Sequence, residues 1–378
     1  MNMQLSAVEP PPKLLSRSNW LSSSLLLAVQ LAAALKRLVQ QQAVAEPASR
    51  TTATFAECGA DRSCSAATVP QNERMSISTG AMECAVVAFG CNDDGQLGTG
   101  AKRRPTLAID DVSASNFPKQ LGGLLGEEVV AVSCGSRHTM ALTAAGAVYS
   151  WGWGSMGQLG HGDLKSINVP QKIAFFEQEG LEVGYISCGG CHSAAVTNDG
   201  TLYMWGETHW GQLGLPKEFE AAHESLPVKC PLLEGDADES VVKISCGGTH
   251  TAALTNLGRV YVWGRGDSGQ LGIGSAWLKD TEDEGLLGVS RPHLLEGFNG
   301  EKVVQVACGA FHSAAVTEQG HVYIWGKEDY GMLGVGQTSD QQTPKRVEFF
   351  DDIPALYVDF LPICFDVVRV FADVEPLF

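Results

Sequence analysis

The sequence predicts an all-β fold, a β-propeller built from four-stranded antiparallel blades, and two repeated phrases predict it. The first is a strand ending in Trp-Gly or Phe-Gly, followed by Gly-Gln-Leu-Gly or a close variant. These variants begin at Gly95, Gly157, Gly211, Gly269 and Gly331, so successive copies are 62, 54, 58 and 62 residues apart. The second phrase, Cys-Gly-x-x-His followed by Ala-Leu-Thr or Ala-Val-Thr, occurs four times. Repeats of this length indicate stacked supersecondary units.

Each unit supplies four short strands in order, as the copy from Val129 to Gly160 illustrates. Its β-branched run over 129–134 predicts a buried first strand, and 138–143 predicts a second. A hairpin turn at Gly146 precedes a third strand, whose Tyr149 and Trp151 lie on one face. A fourth strand follows a proline in every unit, since proline is tolerated at strand starts and on edge strands. The prolines are Pro118, Pro170, Pro227, Pro292 and Pro344.

The phrases Val-Ser-Cys-Gly-Ser-Arg-His-Thr-Met-Ala-Leu-Thr and Val-Tyr-Ser-Trp-Gly-Trp-Gly-Ser-Met-Gly-Gln-Leu-Gly resemble repeats of the regulator-of-chromosome-condensation family. The resemblance covers roughly Glu83 to Phe350 and implies a propeller, usually of seven blades. This chain holds four complete units and partial ones at both ends, so four to five blades are represented. We expect an N-terminal extension over 1–81, the propeller over 82–350 and a non-repeat apolar tail over 351–378.

The two ends differ in composition from the repeats. Residues 1–50 are Ser-rich and poor in acids, which is typical of a mitochondrial or plastid targeting segment, although a helical or disordered extension fits too. The apolar stretch 21–35 is too short for a stable membrane span. Translation starting at Met75 or Met82 is a third interpretation. At the other end, 351–378 lacks Cys-Gly-x-x-His, which favours a truncated ring over a smaller closed one. Without targeting, a cytoplasmic or nuclear location is expected.

The residues that stand out chemically all occupy repeat positions, so we interpret them as structural. Cys188 to His192 has the C-x-x-C-H spacing of haem attachment, and Gly264 to Gly269 has a Gly-x-Gly-x-x-Gly pattern, but both phrases coincide with the repeat. We expect each Cys to be a buried apolar residue and each His to hydrogen-bond backbone between blades. No cofactor, metal site or catalytic constellation is predicted. The structural positions are Gly152, Gly206, Gly264, Gly326, Trp151, Trp205, Trp263, Trp325, Cys134, Cys188, Cys246, Cys308, His138, His192, His250 and His312.

The charge distribution makes a nucleic-acid partner unexpected. The formal net charge is −17, and residues 1–81 carry +2 of it, so the remainder carries −19. An acidic propeller is poorly suited to phosphate backbones. The acid-rich segments 217–220 and 279–284 are interpreted as solvated loops rather than binding sites.

Three classes of function remain. The repeat favours a non-enzymatic protein-interaction scaffold, because propeller faces present loops to other proteins. The family resemblance implies guanine-nucleotide exchange on a small GTPase as the alternative. It also implies ultraviolet-B sensing, known in a plant relative whose sensing tryptophans follow the repeat Cys at the second position. Here that position holds Ser136, Gly190, Gly248 and Ala310, none of them Trp, so photoreception is disfavoured.

Overall fold

The computed structural model describes residues 55–58, 86–100, 115–216, 222–231, 238–274, 288–351, 355–360 and 368–372. All of them belong to the unit that spans residues 52–378. The expectations for residues 1–50, for a start at Met75 or Met82 and for the acidic segments 217–220 and 279–284 therefore lie outside the described residues. Within the described part of the chain, no helix combines the length and apolarity needed to cross a membrane.

Strands account for nearly all regular structure, and the predicted all-β propeller with four-stranded antiparallel blades is confirmed. We name the successive sheets blades 1 to 5. Blade 1 comprises β1 (Phe55–Cys58), β2 (Val87–Gly90) and β3 (Ser115–Gln120); blade 2, β4 (Val129–Cys134), β5 (His138–Thr143), β6 (Val148–Gly152) and β7 (Ile167–Lys172); blade 3, β8 (Val183–Cys188), β9 (His192–Thr197), β10 (Leu202–Glu207) and β11 (His223–Lys229); blade 4, β12 (Val241–Cys246), β13 (His250–Thr255), β14 (Val260–Arg265) and β15 (Gly288–Leu295); blade 5, β16 (Val303–Cys308), β17 (His312–Thr317), β18 (Val322–Gly326) and β19 (Gln341–Arg346).

Short helices and one hairpin complete the described structure. The helix α1 (Ala174–Gln178) follows blade 2, and single 3₁₀ turns cover Gly122–Leu124 and Glu348–Phe350. After blade 5, β20 (Ala355–Phe360) and β21 (Val368–Ala372) form a two-stranded antiparallel sheet.

The hydrophobic core lies between blades rather than inside any one of them. Every residue of β5 is buried, because its two faces pack against different neighbours. Ala141 belongs to a cluster with Val86 and Leu97 of the preceding repeat. The adjacent Met140 belongs instead to a cluster with Ile186 and Trp205 of the following blade. The strand alternation of two residues therefore distributes side chains to successive inter-blade cores.

Hydrogen bonds also link the first strands of consecutive blades. The Cys188 N–H donates to Ser133 Oγ at 2.9 Å, the Cys246 N–H to Ser187 Oγ at 3.0 Å, and the Cys308 N–H to Ser245 Oγ at 2.9 Å. The serine before Cys134, Cys188 and Cys246 thus satisfies a backbone donor of the next blade. These bonds fix the first strands of blades 2 to 5 side by side.

Strands also pair at the two ends of the repeat array. Strand β1 lies within the expected extension 1–81 and pairs in parallel with β2, where blades 2 to 5 place an antiparallel second strand. The tail 351–378, for which a non-repeat structure is expected, begins with repeat geometry in its described part. The Ala355 N–H donates to Gly320 O, as the Val303 N–H does to Gly258 O.

The pairing of β20 with β21 also reproduces the hairpin of the first two strands in a blade. Ala355 pairs with Ala372 and Val358 with Val370, with a register shift after Ala355 that matches the shift after Val303 in blade 5. Ala355 and Val358 are buried against blade 5. Backbone pairing and two small apolar side chains maintain this geometry without the Cys-Gly-x-x-His phrase, so the motif alone did not reveal it.

Candidate protein-interaction face

Two turns from each of blades 2 to 5 meet at one edge of the sheets, which we call the loop face. One turn follows the first strand and contains the x-x residues of Cys-Gly-x-x-His; the other follows the Trp-Gly of the third strand. A backbone bond joins the two turns in each of these four blades: Trp153 N–H to Arg137 O, Glu207 N–H to Cys191 O, Arg265 N–H to Thr249 O, and Lys327 N–H to Phe311 O, at 2.8–2.9 Å. Variable residues of both turns are therefore held next to one another.

The repeat tryptophans hold the blades together below this face. Trp151, Trp205, Trp263 and Trp325 are at most 1% exposed. Each indole Nε1–H donates to the backbone carbonyl of the glutamine in the preceding Gly-Gln-Leu-Gly turn, namely Gln96, Gln158, Gln212 and Gln270, at 2.8–2.9 Å. The predicted core tryptophans thus also carry a specific inter-blade hydrogen bond.

The glycine after each tryptophan allows the second and third strands to approach closely. Gly152 has φ +107°, and a Cβ there would lie 2.5 Å from Arg137 O and 2.7 Å from His138 Cα. Gly206, Gly264 and Gly326 share the positive φ and the equivalent contacts. A larger residue would combine an unfavourable dihedral with a backbone clash.

The repeat histidines are fully buried, and three of them have a hydroxyl partner that was not expected. Nε2 of His138, His192 and His250 lies 2.8–3.0 Å from the hydroxyls of Ser193, Thr251 and Ser313 in the next blade, and His192 also makes a hydrogen bond with the backbone of His250. The hydroxyl sits one residue after the next repeat His, so sequence alone did not identify the pair. Burial lowers the pKa of His138, His192 and His250 to about 3, and that of His312 to about 4. These imidazoles are neutral at physiological pH.

Cys188, Cys246 and Cys308 are buried protonated thiols, whereas Cys134 is only half-buried. Burial raises the pKa of Cys188 and of Cys246 well above the usual range and raises that of Cys308 to about 12. Cys191, the extra thiol of the C-x-x-C-H phrase, is partly exposed, and burial followed by the nearby Glu207 raises its pKa to about 11. Within the described residues, no group of three or more His, Cys, Asp or Glu side chains is arranged to hold a metal ion.

Arg137 organises the first half of the loop face. Its guanidinium lies 4.4 Å from the centroid of the Trp153 ring. The same group makes a bidentate pair with Asp94 of the preceding turn, at 2.6 and 2.8 Å. The Arg137 side chain remains 45% exposed, so a partner could contact it without displacing the pair. A guanidinium held between a ring and a carboxylate is preorganised for recognition.

A second cation–aromatic cluster spans blades 3 to 5. The Arg265 guanidinium lies 4.5 Å from the Trp210 ring centroid and 5.9 Å from that of Phe311. Lys327 Nζ lies 5.6 Å from the Phe311 centroid. Phe311 is 37% exposed although it is a large apolar residue. Aromatic and Arg side chains of this kind dominate the energetics of protein–protein interfaces.

Acidic neighbours neutralise the cations on this face. Arg265 pairs with Asp267 at 2.5 Å and Lys327 with Asp329 at 2.5 Å, as Arg137 pairs with Asp94. The face is therefore rich in aromatic and guanidinium groups without a net positive field, which suits a protein surface better than a phosphate backbone.

The opposite edge of the blades presents polar pairs instead. Tyr261 donates to Glu239 at 3.3 Å, and Tyr323 donates to Glu301 at 3.4 Å. Arg259 also pairs with Glu239 at 3.0 Å. Among the described residues, the rings that lie beneath cations are the half-buried Trp153 and Trp210 and the exposed Phe311, all on the loop face, and the opposite edge serves as the comparison surface.

The chain matches the model of the Regulator of chromosome condensation (RCC1) repeat over residues 85–142, 145–196, 199–254, 258–316 and 319–359. A second model of the same repeat matches 129–158, 185–212, 241–270 and 303–331. The last full match ends within β20, in agreement with the repeat geometry of that strand.

Known proteins with similar sequences and structures carry the same repeat. The Ultraviolet-B receptor UVR8 of Arabidopsis thaliana is 35% identical over 290 residues, which cover 74% of this chain and 59% of the relative. The crystal structure of human WBSCR16 is 28% identical with a TM-score of 0.59, covering 72% of this chain and 64% of that one. The structure of Prp20p from Saccharomyces cerevisiae, described together with its binding properties to Gsp1p and histones, is 28% identical with a TM-score of 0.56, covering 66% of this chain and 57% of that one. This chain therefore spans less than two thirds of each of these proteins.

Proposed function

Because this chain belongs to the regulator of chromosome condensation (RCC1) repeat family, we propose that it is a non-enzymatic propeller that binds another protein through its loop face. The family is shown by the repeat, and the assignment of the loop face rests on the geometry of its side chains. Propellers position variable loops on a rigid scaffold, which is the arrangement that protein recognition requires.

The observation that carries the proposal is the stacking of cations on half-buried and exposed aromatic rings across blade boundaries. Arg265 contacts Trp210 of the preceding blade and Phe311 of the following one. Such rings are already ordered by their cation neighbours, so binding a partner costs little side-chain entropy there. Arg and Trp are also the residues most often found at interface hot spots.

A matched pair of variants tests this proposal in a quantitative affinity capture followed by mass spectrometry. Arg137→Glu combined with Arg265→Glu reverses two cations of the loop face. Lys345→Glu combined with Arg259→Glu makes the same charge change on the opposite edge, where Lys345 lines a cleft with Tyr323. We expect the first variant to reduce recovery of specific partners by at least ~10-fold, in line with the loss of two interface anchors, and the second to leave recovery unchanged.

The same experiment contains the result that contradicts the proposal. Equal partner recovery by wild type and the loop-face variant, with both proteins folded by circular dichroism, would place the interaction elsewhere. Loss of recovery by the opposite-edge variant alone would assign binding to the Glu239 and Glu301 edge instead.

Guanine-nucleotide exchange on a small GTPase is the second candidate, and the similarity to Prp20p favours it. Its test is release of a fluorescent GDP analogue from purified Gsp1p, in the presence of wild type or the loop-face variant. Accelerated release by wild type that the variant lacks would support exchange. No acceleration by wild type, with Prp20p active in parallel, would exclude Gsp1p as a substrate and leave the scaffold proposal intact.

Ultraviolet-B sensing stays disfavoured despite the similarity to UVR8. A Cβ on Gly190 would lie 2.3 Å from Gly248 O, and a Cβ on Gly248 would lie 2.5 Å from Ala310 O. The neighbouring blade thus occupies the space that a larger side chain would need at these positions. The far-ultraviolet circular dichroism spectrum should contain no exciton couplet that ultraviolet-B exposure removes.

A further inference from the structure

Four turns of the loop face form a continuous row across blades 2 to 5. Each of them holds the Cys-Gly-x-x-His phrase, and a backbone hydrogen bond connects each turn to the next. The bonds run from Ser136 N–H to Gly189 O, from Gly190 N–H to Gly247 O and from Gly248 N–H to Gly309 O, at 3.1–3.2 Å. The turns therefore lie side by side in blade order, and so do the residues at the second x position.

The second x residues differ in size along this row, in the order Arg137, Cys191, Thr249, Phe311. The long side chains at the two ends are 45% and 37% exposed. The two short ones between them are half-buried. The preceding Gly190 cannot raise this level, because a Cβ there would lie 2.3 Å from the backbone of the next turn. We call the resulting depression over blades 3 and 4 the notch, with Cys191 and Thr249 as its floor.

Glu207 supplies a negative charge beside the floor of the notch. Its backbone N–H donates to Cys191 O at 2.9 Å. Burial raises the pKa of the Cys191 thiol to about 11; the Glu207 carboxylate raises it further, and the Arg137 guanidinium opposes the increase. Both charged groups thus act on the same thiol. On the floor itself, the buried Thr249 Oγ1 has no hydrogen-bond partner among the described residues.

Glu207 differs from the other carboxylates that contact the loop face, because it has acceptor capacity to spare. Three of these carboxylates are paired with the cations of the face, namely Asp94, Asp267 and Asp329. Glu328 accepts two backbone N–H groups of its own turn. Glu207 accepts one hydrogen bond, from Gln212 Nε2 at 3.3 Å, and no Lys or Arg of the described residues pairs with it. A half-buried carboxylate in this state is stabilised by an incoming cation.

We propose that the notch binds a Lys or Arg side chain at the tip of a loop that protrudes from the partner protein, and that this side chain pairs with Glu207. A protruding loop has the shape that complements a depression two blades wide. The exposed ring of Phe311 borders the notch and offers apolar surface to the stem of a long cationic side chain. The inference rests on the proposed function, because the notch is part of the loop face.

The existing ion pairs argue against the two other occupants, an acidic segment and a second copy of this chain. Arg137 and Arg265 make bidentate pairs with Asp94 and Asp267. An incoming carboxylate would have to compete with these pairs and would be repelled by Glu207. In a second copy, the cations of the loop face are held in the same internal pairs. A cation from a different protein therefore fits the notch best.

Selection from a phage-displayed library of disulfide-closed loops of random sequence tests the proposal on the full-length protein. On wild type, we expect Lys and Arg at the centre of the selected loops to be enriched at least ~5-fold over the unselected library. The nearly isosteric Glu207→Gln should lose this enrichment, and Glu207→Arg should select Asp and Glu instead. Glu318→Gln is the matched control, since it makes the same charge change at an exposed turn of the opposite edge. It should behave as wild type.

A synthetic, fluorescent copy of the most enriched loop then locates the binding site. Its dissociation constant, measured by anisotropy, should rise about fivefold for Glu207→Gln and stay unchanged for Glu318→Gln. The bound loop should also slow the alkylation of Cys191 on the notch floor. It should not affect Cys91, a half-buried thiol of blade 1.

Four results would overturn the proposal. They are a wild-type selection without Lys or Arg, equal enrichment on Glu207→Gln, unchanged alkylation of Cys191 by the bound loop, and self-association of the protein that Glu207→Gln abolishes. Equal enrichment would reveal a general attraction to an acidic protein, and self-association would assign the notch to a second copy. If partner recovery still falls for Arg137→Glu combined with Arg265→Glu, the loop face remains the binding surface and only the notch is excluded.

Discussion

Mild acidification should unfold this protein, because four fully buried histidines are neutral in the folded state. Their folded pKa values, about 3 for His138, His192 and His250 and about 4 for His312, lie below the ordinary value of 6.5. The unfolded chain therefore binds more protons than the folded one below pH 6.5. The contribution of these histidines to the free energy of unfolding is fully present above pH 6.5 and is lost as the pH falls toward about 4.

The size of the effect follows from the number of sites. Each histidine contributes about 1.4 kcal/mol per pH unit in this window. Four such sites give a slope of roughly 5 kcal/mol per pH unit near pH 5. Since a folded protein typically has about 5–15 kcal/mol of stability in total, we expect unfolding to be complete between pH 5.5 and pH 4 or so.

The assay is urea unfolding followed by tryptophan fluorescence at pH 8, 6.5, 6 and 5.5. His250→Gln keeps a polar group opposite Ser313 Oγ but cannot titrate, so its slope should be about a quarter smaller than that of wild type. A wild-type slope below ~1.4 kcal/mol per pH unit between pH 6 and 5.5, or an unchanged slope in His250→Gln, would refute the reasoning. The free energy of unfolding at pH 8 measures the cost of the substitution itself.

Three further predictions concern packing and chemistry. Gly152→Val should destabilise the fold by more than ~2 kcal/mol, because its Cβ would lie 2.5 Å from Arg137 O. Gly122→Val is the control: a Cβ on Gly122 has no atom within 4 Å, so the free energy of unfolding should change by less than ~0.5 kcal/mol in the same urea titration. Trp205→Phe should cost about 1–3 kcal/mol by leaving Gln158 O without its indole donor, while Trp210→Phe on the loop face should leave the melting temperature nearly unchanged. In peptide mapping after alkylation of the native protein, Cys188 and Cys308 should stay unmodified at pH 8. Cys191, with a pKa of about 11, should react faster as the pH rises to 10. Rapid labelling of Cys188 would show instead that the blades separate in solution.

The interior of each repeat was predictable from the sequence because its signals are local and repeated. The first two strands of blade 2 were placed at 129–134 and 138–143, and the structure gives these same limits. The turn glycines were also identified, since a positive φ requires Gly wherever the phrase recurs. Local periodicity and turn chemistry agree in these segments, and such agreement makes a prediction dependable.

The loop face was not predictable in the same way, because its contacts join residues of different blades. Arg137 and Asp94 are 43 residues apart, and their pairing depends on how blade 2 sits against the preceding turn. The same reason applies to the His–hydroxyl pairs, which join residues 55–63 positions apart. The sequence did carry one usable sign: Arg, Trp and Phe occupy the x-x and post-Trp-Gly positions, where the repeats differ from one another.

The tryptophan contact described above has a consequence for how this kind of chain changes length. Each repeat carries both groups of the contact: an indole that binds the turn of the preceding blade, and a turn that binds the indole of the following blade. Duplication or deletion of one whole period leaves every remaining indole next to a compatible turn. A change of half a period leaves an indole without its turn, or a turn without its indole. Gene rearrangements should therefore be tolerated in whole blades, and hybrid genes that join two such proteins should fold best when the crossover lies at the same phase of both repeats.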